Sequence, residues 1–193
     1  MQPILDNTVN FISTRENGEL ITSSCVFPFY SPDSTKVGFW MKHHVYWDYG
    51  IGRYRGSYHL YIRDLITDEL TLVDIGNSDM LDPSYSRALF SPDSTKILFY
   101  STSTNLIPDD PELSANTPDT SGRWFIYDLV NKGYVRAMYD VNYGNLGDCD
   151  EALWVDNERI VLVSYASNLG GVHGFPEHKE VFLCNINAQT VTC

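Results

Sequence analysis

Short apolar runs alternate with polar turn residues along this chain, and the pattern repeats. Phe29-Tyr30 leads into Ser31-Pro32-Asp33-Ser34-Thr35-Lys36, and Val37-Gly38-Phe39 leads out. The hexapeptide recurs unchanged as Ser91-Pro92-Asp93-Ser94-Thr95-Lys96, between Leu89-Phe90 and Ile97-Leu98-Phe99. A degenerate copy without the proline starts at Leu153-Trp154-Val155-Asp156-Asn157-Glu158-Arg159 and runs into Ile160-Val161-Leu162-Val163. Proline fixes φ at the second turn position and Asp bonds its own neighbouring backbone, so each copy predicts a tight β-hairpin, strands A and B.

Each unit carries a second hairpin, strands C and D. Leu60-Tyr61-Ile62-Arg63-Asp64-Leu65 pairs across a polar turn with Leu70-Thr71-Leu72-Val73. Trp124-Phe125-Ile126-Tyr127-Asp128-Leu129 pairs likewise with Tyr134-Val135-Arg136-Ala137-Met138, and Val181-Phe182-Leu183-Cys184-Asn185-Ile186 with Thr190-Val191-Thr192-Cys193. Such runs, rich in β-branched and aromatic residues and separated by polar turns, are hairpin signals, and no helical stripe competes with them. Four antiparallel strands repeating at this scale predict an all-β partial β-propeller of about three and a half blades. The residues divide into a half blade over 1–24 and blades over 25–82, 83–143 and 144–193. The half blade is a C–D hairpin, Asn10-Phe11-Ile12-Ser13-Thr14 with Glu19-Leu20-Ile21-Thr22. A partial ring leaves blade faces bare, so the remainder of a larger propeller is expected to cover them, with self-association or a small self-capped array as the alternatives.

Ala88-Leu89-Phe90-Ser91-Pro92-Asp93-Ser94-Thr95-Lys96-Ile97-Leu98-Phe99 resembles the repeat of the TolB-like, WD40-like (PD40) propellers. Ser103-Thr104-Asn105-Leu106-Ile107-Pro108-Asp109-Asp110, Ser164-Tyr165-Ala166-Ser167-Asn168-Leu169 and Tyr139-Asp140-Val141-Asn142-Tyr143-Gly144-Asn145-Leu146-Gly147-Asp148 extend the resemblance over nearly the whole chain. Ser34 and Ser94 stand where the family usually has glycine, and Arg123-Trp124 where a subgroup has an acidic residue. The resemblance implies a binding platform in periplasmic complexes, a protein-binding domain, or the non-catalytic gate of a serine peptidase. It also implies a periplasmic or extracellular setting.

Charge narrows the partners. Lys and Arg total 13 against 25 Asp and Glu, a formal net charge of -12, and no basic stripe forms. A nucleic-acid partner would be repelled. No apolar run approaches the ~20 residues that span a bilayer, so no membrane insertion is expected. Met1-Gln2-Pro3-Ile4-Leu5-Asp6 has neither the basic start nor the apolar core of a signal peptide, so the expectation is either a cytosolic protein or a mature or partial chain. The four cysteines fit no zinc pattern. Cys184 and Cys193 face each other if their turn centres on Ala188-Gln189, which allows a cross-strand disulfide; the other reading is buried thiols.

Candidate sites fall in the B–C connections. The first, Met41 to His59, is dense in aromatics, His and Arg, the residue types of contact hot spots. Its expected anchors for a protein or peptide partner are Tyr46, Trp47, Tyr49, Arg53, Arg55 and Tyr58. An elongated hairpin packed on itself is the competing reading. The second connection holds Asp109, Asp110, Glu112 and Asp119, hard oxygen ligands that suit Ca2+. A third, with His173, Glu177 and His178, is the weaker metal candidate. Gly-x-Ser-x-Gly, His-Glu-x-x-His and phosphate-binding glycine loops are absent from the sequence. The expectation is a non-enzymatic interaction module without a cofactor; the alternative is the propeller portion of a larger serine peptidase or other hydrolase.

Overall fold

The computed structural model describes residues 12–14, 19–48, 53–75, 87–103, 105–107, 123–137, 149–164, 178–187 and 190–192. Twelve strands form three four-stranded sheets, each in chain order. The first comprises β1 (Cys25–Tyr30), β2 (Lys36–Asp48), β3 (Arg53–Asp64) and β4 (Leu70–Leu72). The second comprises β5 (Ala88–Phe90), β6 (Lys96–Ser101), β7 (Arg123–Asp128) and β8 (Gly133–Arg136). The third comprises β9 (Cys149–Trp154), β10 (Arg159–Ser164), β11 (Glu180–Asn185) and β12 (Thr190–Thr192). Neighbours within each sheet pair antiparallel.

The repeated hexapeptide folds the same way twice. Ser31 Oγ donates to Asp33 Oδ1 at 2.5 Å, and that oxygen also accepts from the Thr35 amide at 3.0 Å and its hydroxyl at 2.9 Å. Ser91, Asp93 and Thr95 repeat these bonds at 2.6, 3.1 and 2.8 Å. The turn also couples blades. The Asp33 amide donates to Ser94 Oγ of the next turn at 3.2 Å, and the Asp93 amide to Asn157 Oδ1 of the third at 3.0 Å.

Side chains alternate between the faces of a strand, so each blade has a leading face toward its predecessor and a trailing face toward its successor. Trp40, Leu60 and Ile62 trail the first blade and pack on Ile97, Phe99 and Phe125, which lead the second. Leu98, Trp124 and Ile126 trail the second and pack on Ile160, Leu162, Phe182 and Cys184, which lead the third. Nearly all of these are fully buried, each contributing about 1.5–3 kcal/mol. Polar ties reinforce the seams. Tyr134 Oη donates to the Val73 carbonyl at 2.5 Å, and Trp154 Nε1 to the Leu89 carbonyl at 3.2 Å. Fully buried Asp74 accepts from Ser101 Oγ at 3.0 Å and Ser103 Oγ at 2.9 Å.

Ahead of the first blade lies a short hairpin joined by a Thr14–Leu20 bridge. Arg63, 1% exposed, holds it: Nε donates to the Ile12 carbonyl at 3.2 Å, and Nη2 to the Thr14 carbonyl and, at 2.8 Å, its hydroxyl. Cys184 stands opposite Val191 and Leu183 opposite Thr192, one residue off the register that would set Cys184 against Cys193, and Cys184 is a buried free thiol, the second of the two readings.

Candidate functional site

The long aromatic connection is mostly strand. β2 runs 13 residues and β3 runs 12, against 6 for β6, β7, β10 and β11. At about 3.3 Å per residue the extra length projects roughly 20 Å past the other blades. The ladder continues through Tyr46–Arg55, Trp47–Tyr54 and Asp48–Arg53, after a register shift between His43 and Tyr46. The backbone therefore places Tyr46, Trp47, Arg53 and Arg55 together near the tip of one hairpin arm. Tyr49 lies outside the described residues. Tyr58, expected on the contact surface, is only 8% exposed: it packs between the first two blades, with Lys42 Nζ 5.9 Å from its ring centre. A Tyr so placed serves the core.

The base of the arm is pinned. His59 Nδ1 lies 2.8 Å from the Asp74 carbonyl and Nε2 lies 3.0 Å from Ser57 Oγ. A carbonyl only accepts, so Nδ1 donates to it, and the Ser57 hydroxyl, which can donate or accept, completes the clamp at Nε2. This clamp ties the arm to the end of its own blade.

A second feature was not legible in the sequence. A cavity of about 440 Å³ opens where the first strands of all three blades converge. Phe27, Phe29, Ala88, Leu89, Ala152 and Leu153 form its walls, and Trp40 and Trp124 its floor. Arg87 Nη1 and Glu151 Oε1 meet across its rim at 3.7 Å. The wall is shaped by a bulge in β1 between Val26 and Phe29, where Phe27 takes φ 51° and stays 49% exposed. A positive φ on an aromatic residue is strained, and such strain gathers at functional sites. The buried Trp40 indole N–H has no acceptor among the described residues. Mostly apolar with a charged rim, the cavity is of a size that holds a small ligand or a few residues of peptide.

Asp109, Asp110, Glu112 and Asp119, the expected Ca2+ ligands, lie outside the described residues, as do His173 and Glu177. Among the described residues no cluster of three or more His, Cys, Asp or Glu side chains is placed to hold a metal.

No protein-family model matches the chain, and no curated protein matches it in sequence. Solved structures match it in fold. The propeller domain of the Trilobed protease from Pyrococcus furiosus aligns with TM-score 0.50 at 12% identity, over 89% of this chain and 42% of that one. An acylaminoacyl peptidase from Pyrococcus horikoshii aligns with TM-score 0.50 at 10% identity, over 89% and 24%. The AtxE2 isopeptidase aligns with TM-score 0.51 at 12% identity, over 86% and 28%. The chain spans less than half the length of these structures. At such identities the likeness concerns architecture alone: the chain has the fold of β-propeller blades.

Proposed function

We propose that this chain is the non-catalytic propeller component of a serine-peptidase-type hydrolase, and that its axial cavity receives a segment of extended peptide. The observation that carries the reading is the cavity itself, built jointly by the first strands of three successive blades with an apolar floor and a charged rim. Extended peptide matches it, with side chains for the apolar walls and backbone dipoles for Arg87 and Glu151. The peptidases among the matched folds support the hydrolase setting. The repeated Ser-Pro-Asp turn supports the finer placement among TolB-like propellers.

A second reading, a platform that grips a folded protein, is favoured by the projecting arm. It assigns contact to Tyr46, Trp47, Arg53 and Arg55 near the tip.

One experiment separates the two. A fluorophosphonate probe applied to the protein isolated from its native source labels a polypeptide that contains, or copurifies with, this chain if the hydrolase reading holds. Absence of a labelled species, with a partner lost on Trp47→Ala and retained on Ala152→Trp, transfers the function to the arm.

A further inference from the structure

The first strands of the three blades differ in what their free edges offer. β1, β5 and β9 each stand at the edge of their sheet, and all three line the axial cavity. An edge strand turns every second N–H and C=O away from its ladder. In β5 the ladder fixes which residue does so. The Ser91 amide donates to the Lys96 carbonyl at 2.9 Å, and the Tyr100 amide to the Arg87 carbonyl at 3.0 Å. By alternation Arg87, Leu89 and Ser91 direct their backbone groups at β6 and its flanks. Ala88, opposite Phe99 in a pair that exchanges no ladder bond, turns its N–H and C=O to the cavity side.

The edge of β1 is closed to pairing where it borders the cavity. Phe27 sits at φ 51° in the bulge, and Pro28 has no N–H to give. Bulges and prolines are the features that blunt an edge. β5 has neither, and its register with β6 is continuous. Its sheet lies between the other two, packed on both faces, so the inner edge is a side of the strand that neither neighbour covers.

We infer that the axial cavity takes its ligand by strand addition: the main chain of an extended peptide lies along the inner edge of β5 and exchanges hydrogen bonds with Ala88. This rests on the reading of the cavity as a peptide site, and it specifies the ligand class. The ligand is a linear, unfolded peptide with free main-chain amides, held with little regard to its sequence. Complementarity argues for that occupant. The open edge offers a donor and an acceptor at strand spacing, which is what an extended main chain offers in return. The rim holds one cation and one anion, Arg87 and Glu151, 3.7 Å apart, and so selects for neither sign of charge. The apolar walls at Phe29, Leu89 and Leu153 are left for alternate side chains of the peptide.

Two measurements on the 193-residue chain test this, with fluorescein-tagged, end-blocked tetrapeptides Val-Ser-Val-Ser and Leu-Thr-Leu-Thr as probes. Fluorescence anisotropy is expected to show both binding. Ala88→Pro, which deletes the edge N–H and no ladder bond, weakens them at least tenfold, whereas Ala88→Ser binds them as the wild type does. Amide exchange followed by NMR needs no substitution. At saturating peptide the Ala88 amide slows at least tenfold, and that of Leu89, already paired with Leu98 across the ladder, keeps its rate. If the peptides bind while the Ala88 amide exchanges at its free rate, strand addition is overturned and the cavity remains a peptide site that works through side chains alone. If neither peptide binds, the inference falls together with the reading of the cavity as a peptide site.

Discussion

Ser34 and Ser94 occupy the same turn position with φ 60° and 61°. The left-handed region costs a non-glycine residue roughly 1–2 kcal/mol, so glycine would be the relaxed choice at both. At Ser94 the structure explains the serine: its Oγ accepts the Asp33 amide from the preceding blade, and the residue is 3% exposed. Ser34 is exposed, and its hydroxyl makes no such bond among the described residues. The two positions should therefore respond differently. Ser94→Ala keeps the strain and loses the bond, a destabilisation of about 1 kcal/mol, whereas Ser94→Gly lies near neutral because relief offsets loss. Ser34→Gly gains about 0.5–1 kcal/mol. Urea unfolding of the three variants gives the order. The repeat was legible in the sequence; this division of labour was not, because it depends on which turn has a predecessor in space. The same turns set the acid response. Asp33 is held down to about 2 by the bond from Ser31, then by those from Thr35 and the charge of Lys36, against a small opposing effect of burial. A carboxyl lowered in the fold contributes stability above its unfolded value of 3.8 and loses it as pH falls toward about 2. Stability should drop across that window, less steeply in Asp33→Asn, as circular dichroism against pH would record.

At the scale of elements, the strands that build the seams were readable because their apolar runs sit beside turn signals. In the arm, three glycines and a density of His and Arg favour a contact loop, and the competing reading of an elongated hairpin is the one the ladder follows. The arm's β-formers, Val45, Tyr46, Trp47, Tyr54 and Tyr58, were the signal for strand. The ladder keeps Tyr46 with Arg55 near the tip and sends Tyr58 into the core, a division that follows from register and that composition does not fix. Register also explains Gly38, which lies opposite Phe29 in the β1–β2 pair. A Cβ at Gly38 would meet the far edge of the Phe29 ring at 2.2 Å. The ring has to swing away, and its contact with Phe90 across the seam, centroids 5.2 Å apart, goes with it. Gly38→Ala should cost about 1–3 kcal/mol, and a second substitution, Phe29→Leu, should return part of the loss. A Gly38→Ala variant as stable as wild type would mean that the ring moves without cost to the seam.

Across the whole molecule the seams differ in what holds them. Those between complete blades are walls of buried aromatic and aliphatic side chains, whereas among the described residues the leading hairpin is held by the Arg63 guanidinium and by Ile21. Arg63, in β3 at the position occupied by Tyr127 in β7 and Cys184 in β11, is buried with its charge facing the Ile12 and Thr14 carbonyls and Asp68, the carboxylate lying 3.2 Å from Nη1. Among the described residues of the hairpin, Ile21 packs beside Phe39, Met41 and Tyr61. Bonds from a charged donor are worth about 1.5–3 kcal/mol each, and an acceptor left buried without one adds a penalty. Arg63→Met keeps the length and removes every one of those bonds. The hairpin should then open on its own while the inter-blade seams stay closed, because local opening follows the weakest contiguous unit. Hydrogen exchange reads this directly. The Ile21 amide, bonded to the Ser13 carbonyl at 3.0 Å, should exchange at least tenfold faster in Arg63→Met, and the amides of Phe99 and Phe125 at their wild-type rates. If the Ile21 amide keeps its protection, the apolar cluster holds the hairpin and the arginine is dispensable. If Phe99 and Phe125 accelerate equally, the hairpin and the blades unfold as one body, and the seams are coupled more tightly than their contacts imply.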